Sequence, residues 1–217
     1  GSFSRLWKYD GSTWTDYFIP GEIQALTSFG GELIVGGQFS PPGLPVNQVI
    51  ARWNGTQWKL LGNLHGQMVH SLTEFHGELI AGGLFLGFES TSAGSVARWN
   101  GNSWQTTGQL LQGQRIDCLY SYNDRLIAGG ALDLPSGGGF NGTGMSQWDG
   151  SNWSLIASNN NSDAWVSCAL EYEGNLVVGG AISRLDGRNA YGIMRRVGST
   201  WAAFPTGFSS TVYTMSE

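Results

Sequence analysis

One short pattern, an aromatic residue, a turn and then an apolar strand ending in two glycines, recurs four times along this chain. The copies are FGGELIVGG ending at Gly37, FHGELIAGG at Gly83, YNDRLIAGG at Gly130 and YEGNLVVGG at Gly180. Successive glycine pairs lie 46, 47 and 50 residues apart. Each is followed, after a stretch of varying length, by a compact aromatic hairpin: RWNGTQW (52–58), RWNGNSW (98–104), QWDGSNW (147–153) and a divergent copy, RRVGSTW (195–201). A fifth hairpin, KYDGSTW (8–14), precedes the first glycine pair. Self-similarity at such a period marks stacked units, none of which buries its apolar face alone.

Each unit reads as four strands. The first is IQALTSF (23–29), echoed by VHSLTEF (69–75), IDCLYSY (116–122) and VSCALEY (166–172). The second is ELIVGG (32–37) and its copies, almost wholly apolar as a strand covered on both faces should be. The third is VIARW (49–53), and the fourth begins at Trp58. Asn-Gly or Asp-Gly between third and fourth strands suits the positive φ angles of a tight hairpin turn. Glycine at the close of the second strand removes bulk where another backbone or ring must approach. No stretch keeps an apolar 3.6-residue period for three turns without Gly or Pro, so helices are not expected.

Four-stranded antiparallel units at this period are the blades of an all-β β-propeller. A single domain over 1–217 is expected, with blades at about 22–61, 68–108, 115–157 and 164–205 and a fifth split between 1–19 and 210–217. An apolar strand ending in Gly-Gly, followed by an aromatic hairpin, resembles the kelch-type propeller repeat. The fuller pattern, GGxF and then ARWNGxxW, is similar to propeller repeats of secreted bacterial surface proteins and of fungal cell-surface markers. That resemblance covers essentially the whole chain and implies a fold, since such families share no catalytic residues.

The fifth blade lacks a Gly-Gly strand between Glu217 and Gly1. Five periods of about 47 residues would need roughly 18 more than the 217 present. Three explanations stand: the boundaries cut a longer protein, a strand from another molecule fills the gap, or residues 1–6 fold back to cover it. Trp7 stands where other copies have Ala51, Ala97, Ser146 and Met194. An open gap exposes unpaired backbone on both sides.

Strand alternation puts short, near-identical turns on one face and variable loops on the other. The long ones are 38–48, 84–95, 131–144 and 181–192, and such loops on a rigid scaffold commonly carry binding. Beneath them, where each first strand starts at the channel mouth, one position changes through the repeat: Gln24, His70, Asp117, Ser167, Tyr213. Two places before it stand Glu22, Met68, Arg115, Trp165 and Thr211. This polar ring is either a ligand site or simply hydrates the mouth. Trp165 lies outside every repeated Trp position and could stack on a sugar, grip a partner or tuck under its neighbours. The candidate ligand-binding set is Trp165, Tyr213, His70, Asp117, Arg115 and Gln24.

Catalysis and cofactors find little support. His70 and His76 fall at opposite ends of one strand and cannot share a metal ion, and no Asp-rich calcium loop is present. Asp117 and His70 are the only acid–imidazole neighbours at the mouth, too little for a catalytic set. Cys118 and Cys168 occupy a small-residue position in adjacent blades, which favours free thiols. The repeated Trp14, Trp58, Trp104, Trp153 and Trp201 are expected in inter-blade packing, and Arg52, Arg98 and Arg195 are placed to bond or stack across blades. With a net charge of −5 and two lysines, no basic groove for nucleic acid exists. No apolar run is long enough to insert in a membrane. The expectation is a non-catalytic, secreted or surface module that binds a protein or glycan. The alternative is a structural subunit that self-associates through the incomplete blade.

Overall fold

In the computed structural model, residues 3–88, 91–92, 94–108, 115–131, 143–159 and 165–216 are described, and every regular element among them is a strand. The first sheet joins β1 (Phe3–Tyr9), β2 (Trp14–Phe29), β3 (Glu32–Phe39), β4 (Gln48–Trp53) and β5 (Trp58–Leu60) in that order. The second holds β6 (Leu64–Phe75), β7 (Glu78–Phe88), β8 (Thr91–Ser92), β9 (Val96–Trp99) and β10 (Trp104–Thr106), with β8 an appendage on β7. The third runs β11 (Arg115–Tyr122), β12 (Arg125–Ala131), β13 (Thr143–Trp148), β14 (Trp153–Asn159). In the fourth, β15 (Trp165–Tyr172) and β16 (Asn175–Ala181) pair with β19 (Ile193–Val197) and β20 (Thr200–Ala203). A small hairpin, β17 (Arg184–Leu185) and β18 (Arg188–Asn189), interrupts it. The loops 84–95 and 181–192 therefore contain short strand pairs.

The core lies between sheets. Ile34, Val49 and Ile50 of the first pack with Val69, Leu79, Ala81 and Trp104 of the second. Ile80 and Val96 meet Ile116, Leu119, Leu126 and Trp148 of the third, and Ile127 and Met145 meet Val166, Val178, Met194 and Trp201 of the fourth. Consecutive four-stranded antiparallel sheets stacked face to face, with inner strands β2, β6, β11 and β15 adjacent in turn, make a β-propeller.

The two glycines of each pair have different roles. A Cβ on the first would lie 2.6 Å from Val69 Cγ1 at Gly36, 2.7 Å from Ile116 Cγ2 at Gly82 and 2.9 Å from Val166 Cβ at Gly129. Its absence admits the inner strand of the next sheet. A Cβ on the second would lie 2.1 Å from the Glu22 carbonyl oxygen at Gly37 and 2.2 Å from that of Met68 at Gly83. Its absence admits the start of the same sheet's own inner strand.

The fourth-strand tryptophans tie each sheet to the one before. The Trp104 indole donates to the Leu61 carbonyl (2.7 Å), Trp153 to Thr107 Oγ1 (3.3 Å) and Trp201 to the Ile156 carbonyl (3.3 Å). Trp14 departs from the expected packing: it is 63% exposed and touches the Tyr9 ring at 4.9 Å. No preceding sheet lies against it among the described residues. Two further expectations are corrected. Arg52 and Arg98 pair within their own sheets, with Glu32 (3.0 Å) and with both oxygens of Glu78 (2.9 and 3.0 Å). The aromatic hairpin turns take fewer positive φ angles than expected: Trp53 pairs with Trp58, leaving a four-residue loop in which only Gly55 has positive φ. The Asn54 side chain closes that loop by accepting from the Thr56 and Gln57 amides, as Asn100 and Asp149 do in theirs.

At the N-terminus β2 serves two partners. Trp14–Pro20 pair with β1, and Gly21–Phe29 pair with β3. The β1–β2 hairpin caps the first sheet, burying Ile19 among Val35, Phe39, Ala51 and Trp58. The strand expected at 210–217 is absent over 210–216, while Glu217 lies outside the described residues. Val212 nevertheless sits against Gly179, and its amide donates to the Gly180 carbonyl (3.3 Å). The segment takes an inner-strand position, and no Gly-Gly strand pairs with it among the described residues.

Candidate functional site: the channel mouth

In every sheet the ladder between inner strand and Gly-Gly strand slips by one residue at the same place. The slips fall between Ile23 and Ala25, Val69 and Ser71, Ile116 and Cys118, and Val166 and Cys168. The residues left out of register are Gln24, His70, Asp117 and Ser167, four of the five mouth positions predicted above. A β-bulge bends the strand and re-aims its side chain, and the second glycine of each pair gives the bulge room.

Three sheets combine their charges at this point. Arg115 Nε lies 2.8 and 3.0 Å from the two Asp117 oxygens. Burial pushes the Asp117 carboxyl above its usual range, opposed by the Arg115 hydrogen bond and by the nearby charges of Arg115 and His70. Burial also lowers the His70 imidazole; Arg115 adds to that, while Asp117 and Glu22 oppose it. Gln24 Nε2 donates to Glu22 Oε1. Gln24, His70, Asp117 and Arg115 thus belong to one patch. Ser167 Oγ beside it is buried with no partner among the described residues.

Trp165 and Tyr213 sit apart from that patch. Trp165 opens β15 opposite Ala181 and is half-buried, whereas Tyr213 is 73% exposed next to Val212. No ring contact joins the two among the described residues. Cys118 and Cys168 are free; burial raises both thiols, Cys168 to about 11. Among the described residues no set of three His, Cys, Asp or Glu side chains gathers as metal ligands.

A groove of about 820 Å³ was not foreseen from sequence. It lies between the 181–192 hairpin and the C-terminal segment, lined by Ser183, Asn189, Tyr191, Phe208, Ser210 and Thr211 among others. Tyr191 holds a left-handed backbone (φ 48), uncommon for a bulky residue, and its carbonyl accepts from the Phe208 amide at 2.8 Å. Both rings are more than half exposed. Ala181, opposite Trp165 in the ladder, also lines the groove, as does Thr211. The one sequence signal was the length of the 181–192 loop. The 131–144 loop lies mostly outside the described residues.

No protein-family model and no curated protein matches the chain. Among solved structures it is similar to the computationally designed Ika8 protein (15% identity, TM-score 0.48, 80% of this chain and 54% of that one). It is also similar to the computationally designed Ika4 protein (18%, TM-score 0.44, 73% and 85%) and to the WD40 β-propeller domain of Doa1 (12%, TM-score 0.40, 93% and 76%). The chain spans about half the length of Ika8. Sheet order and register, not these likenesses, identify the propeller.

Proposed function

We propose that this propeller is a non-catalytic, extracellular binding module that engages a glycan or protein at the mouth and groove of its long-loop face. The groove carries this reading: two exposed aromatic residues, Tyr191 and Phe208, flank the hydroxyl and amide side chains of Ser183, Ser210, Thr211 and Asn189. Aromatic faces with hydrogen-bonding neighbours suit sugars and polar peptide surfaces. The similarity of GGxF…ARWNGxxW to kelch-like repeats of secreted surface proteins supports the location, as does the low charge. A glycan array followed by calorimetry on the best binder tests it. Replacing Trp165 together with Tyr213, or Tyr191 alone, should abolish binding while leaving the thermal midpoint in place. Unchanged affinity in both variants refutes the site.

A second reading, a subunit of an extracellular assembly joined by strand addition, is favoured by Trp7. This residue is 55% exposed, whereas its counterparts Ala51, Ala97, Ser146 and Met194 are buried. Light scattering over a wide concentration range tests it, and a strict monomer refutes self-assembly.

A further inference from the structure

Arg196 stands where the other three sheets carry tryptophan. Trp53 pairs with Trp58, Trp99 with Trp104 and Trp148 with Trp153, whereas β19 pairs Arg196 with Trp201. Between the second and third sheets that tryptophan fills the junction: the Trp148 ring lies 5.8 Å from that of Phe75, at the end of the preceding inner strand. Between the third and fourth sheets Tyr122 takes the place of Phe75, and with arginine instead of an indole the junction holds a cavity of about 380 Å³. Tyr122, Asn123, Arg125, Gln147, Asn175 and Arg196 line it, and none of its lining residues is acidic. The Tyr122 hydroxyl donates to the Gly174 carbonyl (2.9 Å) and fixes one rim.

A second exchange shifts charge the same way. The first two sheets set Glu32 against Arg52 and Glu78 against Arg98; the third has Arg125 and Gln147 at those positions, so the acid has become a base and its partner a neutral amide. Arg125 and Arg196 form no ion pair among the described residues. Asp124, next to Arg125 in the chain, pairs with His76 of the preceding sheet. Asp149 feels the charge of Arg125, but its carboxylate holds the Ser151 and Asn152 amides. Arg196 Nε is buried without a hydrogen-bond partner. Arg52 Nε is too, but that guanidinium meets Glu32 through Nη1. A buried N–H facing other donors needs an acceptor. We propose that this cavity binds one oxyanion, a sulfate, phosphate or carboxylate group, held by the Arg125 and Arg196 guanidiniums with the side-chain amides of Gln147 and Asn123 donating beside them. Guanidinium forks match oxyanions in geometry as well as charge. The site lies at the turn end of β11, whereas the mouth residue Arg115 opens that strand, so it is separate from the binding proposed for the long-loop face.

The probes are sodium sulfate, phosphate and acetate, titrated into the full chain at constant ionic strength while arginine Nε–H resonances are followed by NMR. Expected is a saturable shift of two of those signals with at least one of the anions, identified as Arg125 and Arg196 by their loss in Arg125→Gln and Arg196→Gln. Arg125→Gln, checked for an unchanged melt, should weaken the tightest anion at least about tenfold. Arg196→Trp restores the side chain of the other sheets and should fill the cavity and remove the response. Arg188→Gln, an exposed arginine on the 181–192 hairpin, should leave affinity unchanged. Shifts that grow without saturating, full affinity in Arg125→Gln, or an equal loss in Arg188→Gln would overturn the proposal. If Arg196→Trp fails to fold, the Arg125→Gln comparison still decides it. Glucose 6-sulfate identifies the source of the anion once the site is established: tighter binding than free sulfate marks a sugar-borne group, and equal or weaker binding marks the free ion.

Discussion

Trp104 and Trp14 occupy the same place in their hairpins, yet replacing them should have very different consequences. Trp104 is 3% exposed, packs among Leu61, Leu64 and Leu79, and donates its indole N–H to the Leu61 carbonyl at 2.7 Å. Trp104→Ala removes a large buried ring and leaves that carbonyl without its partner, at a cost of about 3–5 kcal/mol. Trp104→Phe keeps most of the volume and loses the hydrogen bond, so about 1–3 kcal/mol is expected. Trp14, 63% exposed, has the Tyr9 ring contact to lose, which is worth at most about 1 kcal/mol. At roughly 2–4 °C per kcal/mol for a domain of this size, Trp104→Ala should lower the melting midpoint by roughly 6–20 °C and Trp14→Ala by no more than about 4 °C. Urea unfolding with comparison of m-values, alongside calorimetric melts, provides the assay. Equal losses for the two alanine variants would refute the reasoning. They would mean that the N-terminal hairpin packs in solution as tightly as an interior blade.

Gly83→Ala should cost about 1–3 kcal/mol in urea unfolding, because its Cβ would lie 2.2 Å from the Met68 carbonyl oxygen and only backbone can yield. Acid should loosen some hairpins and spare others. Backbone amides of Ser12 and Thr13 hold the Asp10 carboxyl below its usual range, and those of Ser151 and Asn152 do the same for Asp149. A depressed folded value means this support is complete above the unfolded pKa near 4 and is lost as pH falls through the folded one. Asn54 and Asn100 make the same bonds without titrating, so the amide resonances of Ser151 and Asn152 should shift in acid while those of Asn102 and Ser103 stay fixed. At the mouth, Asp117→Asn should push the His70 pKa further down, because Asp117 is the largest influence favouring the imidazolium. Proton NMR of the ring would detect it, and an unmoved or raised value would count against the patch.

Strand order and inter-sheet packing were legible because both depend on local patterns repeated four times. The mouth residues were legible as positions, since they vary where everything around them repeats. Their bulges were not, because a slip in register depends on the glycine opposite rather than on the bulged residue. Trp14 looked like its four counterparts because its own segment is like theirs; exposure is decided by whether a neighbour arrives. The Tyr191 groove depends on Phe208 returning to bond Tyr191, a pairing without periodicity. One partial signal was in the sequence: Glu32 and Glu78 open the second strands of the copies that carry Arg52 and Arg98, whereas the copy that carries Arg195 opens with Asn175 and the remaining one with Arg125. Where both residues occur they form within-sheet ion pairs.

The bulges have an evolutionary consequence. Gln24, His70, Asp117 and Ser167 lie outside the regular ladder register, and none belongs to the apolar packing between sheets. Amide, imidazole, carboxylate and hydroxyl therefore stand in equivalent frames with the same glycine beneath them. A scaffold built this way can exchange one character per blade with little penalty to folding. Under the proposed function, ligand preference can drift quickly while the architecture stays still, and swapping those four characters between related propellers should transfer preference more readily than grafting whole loops.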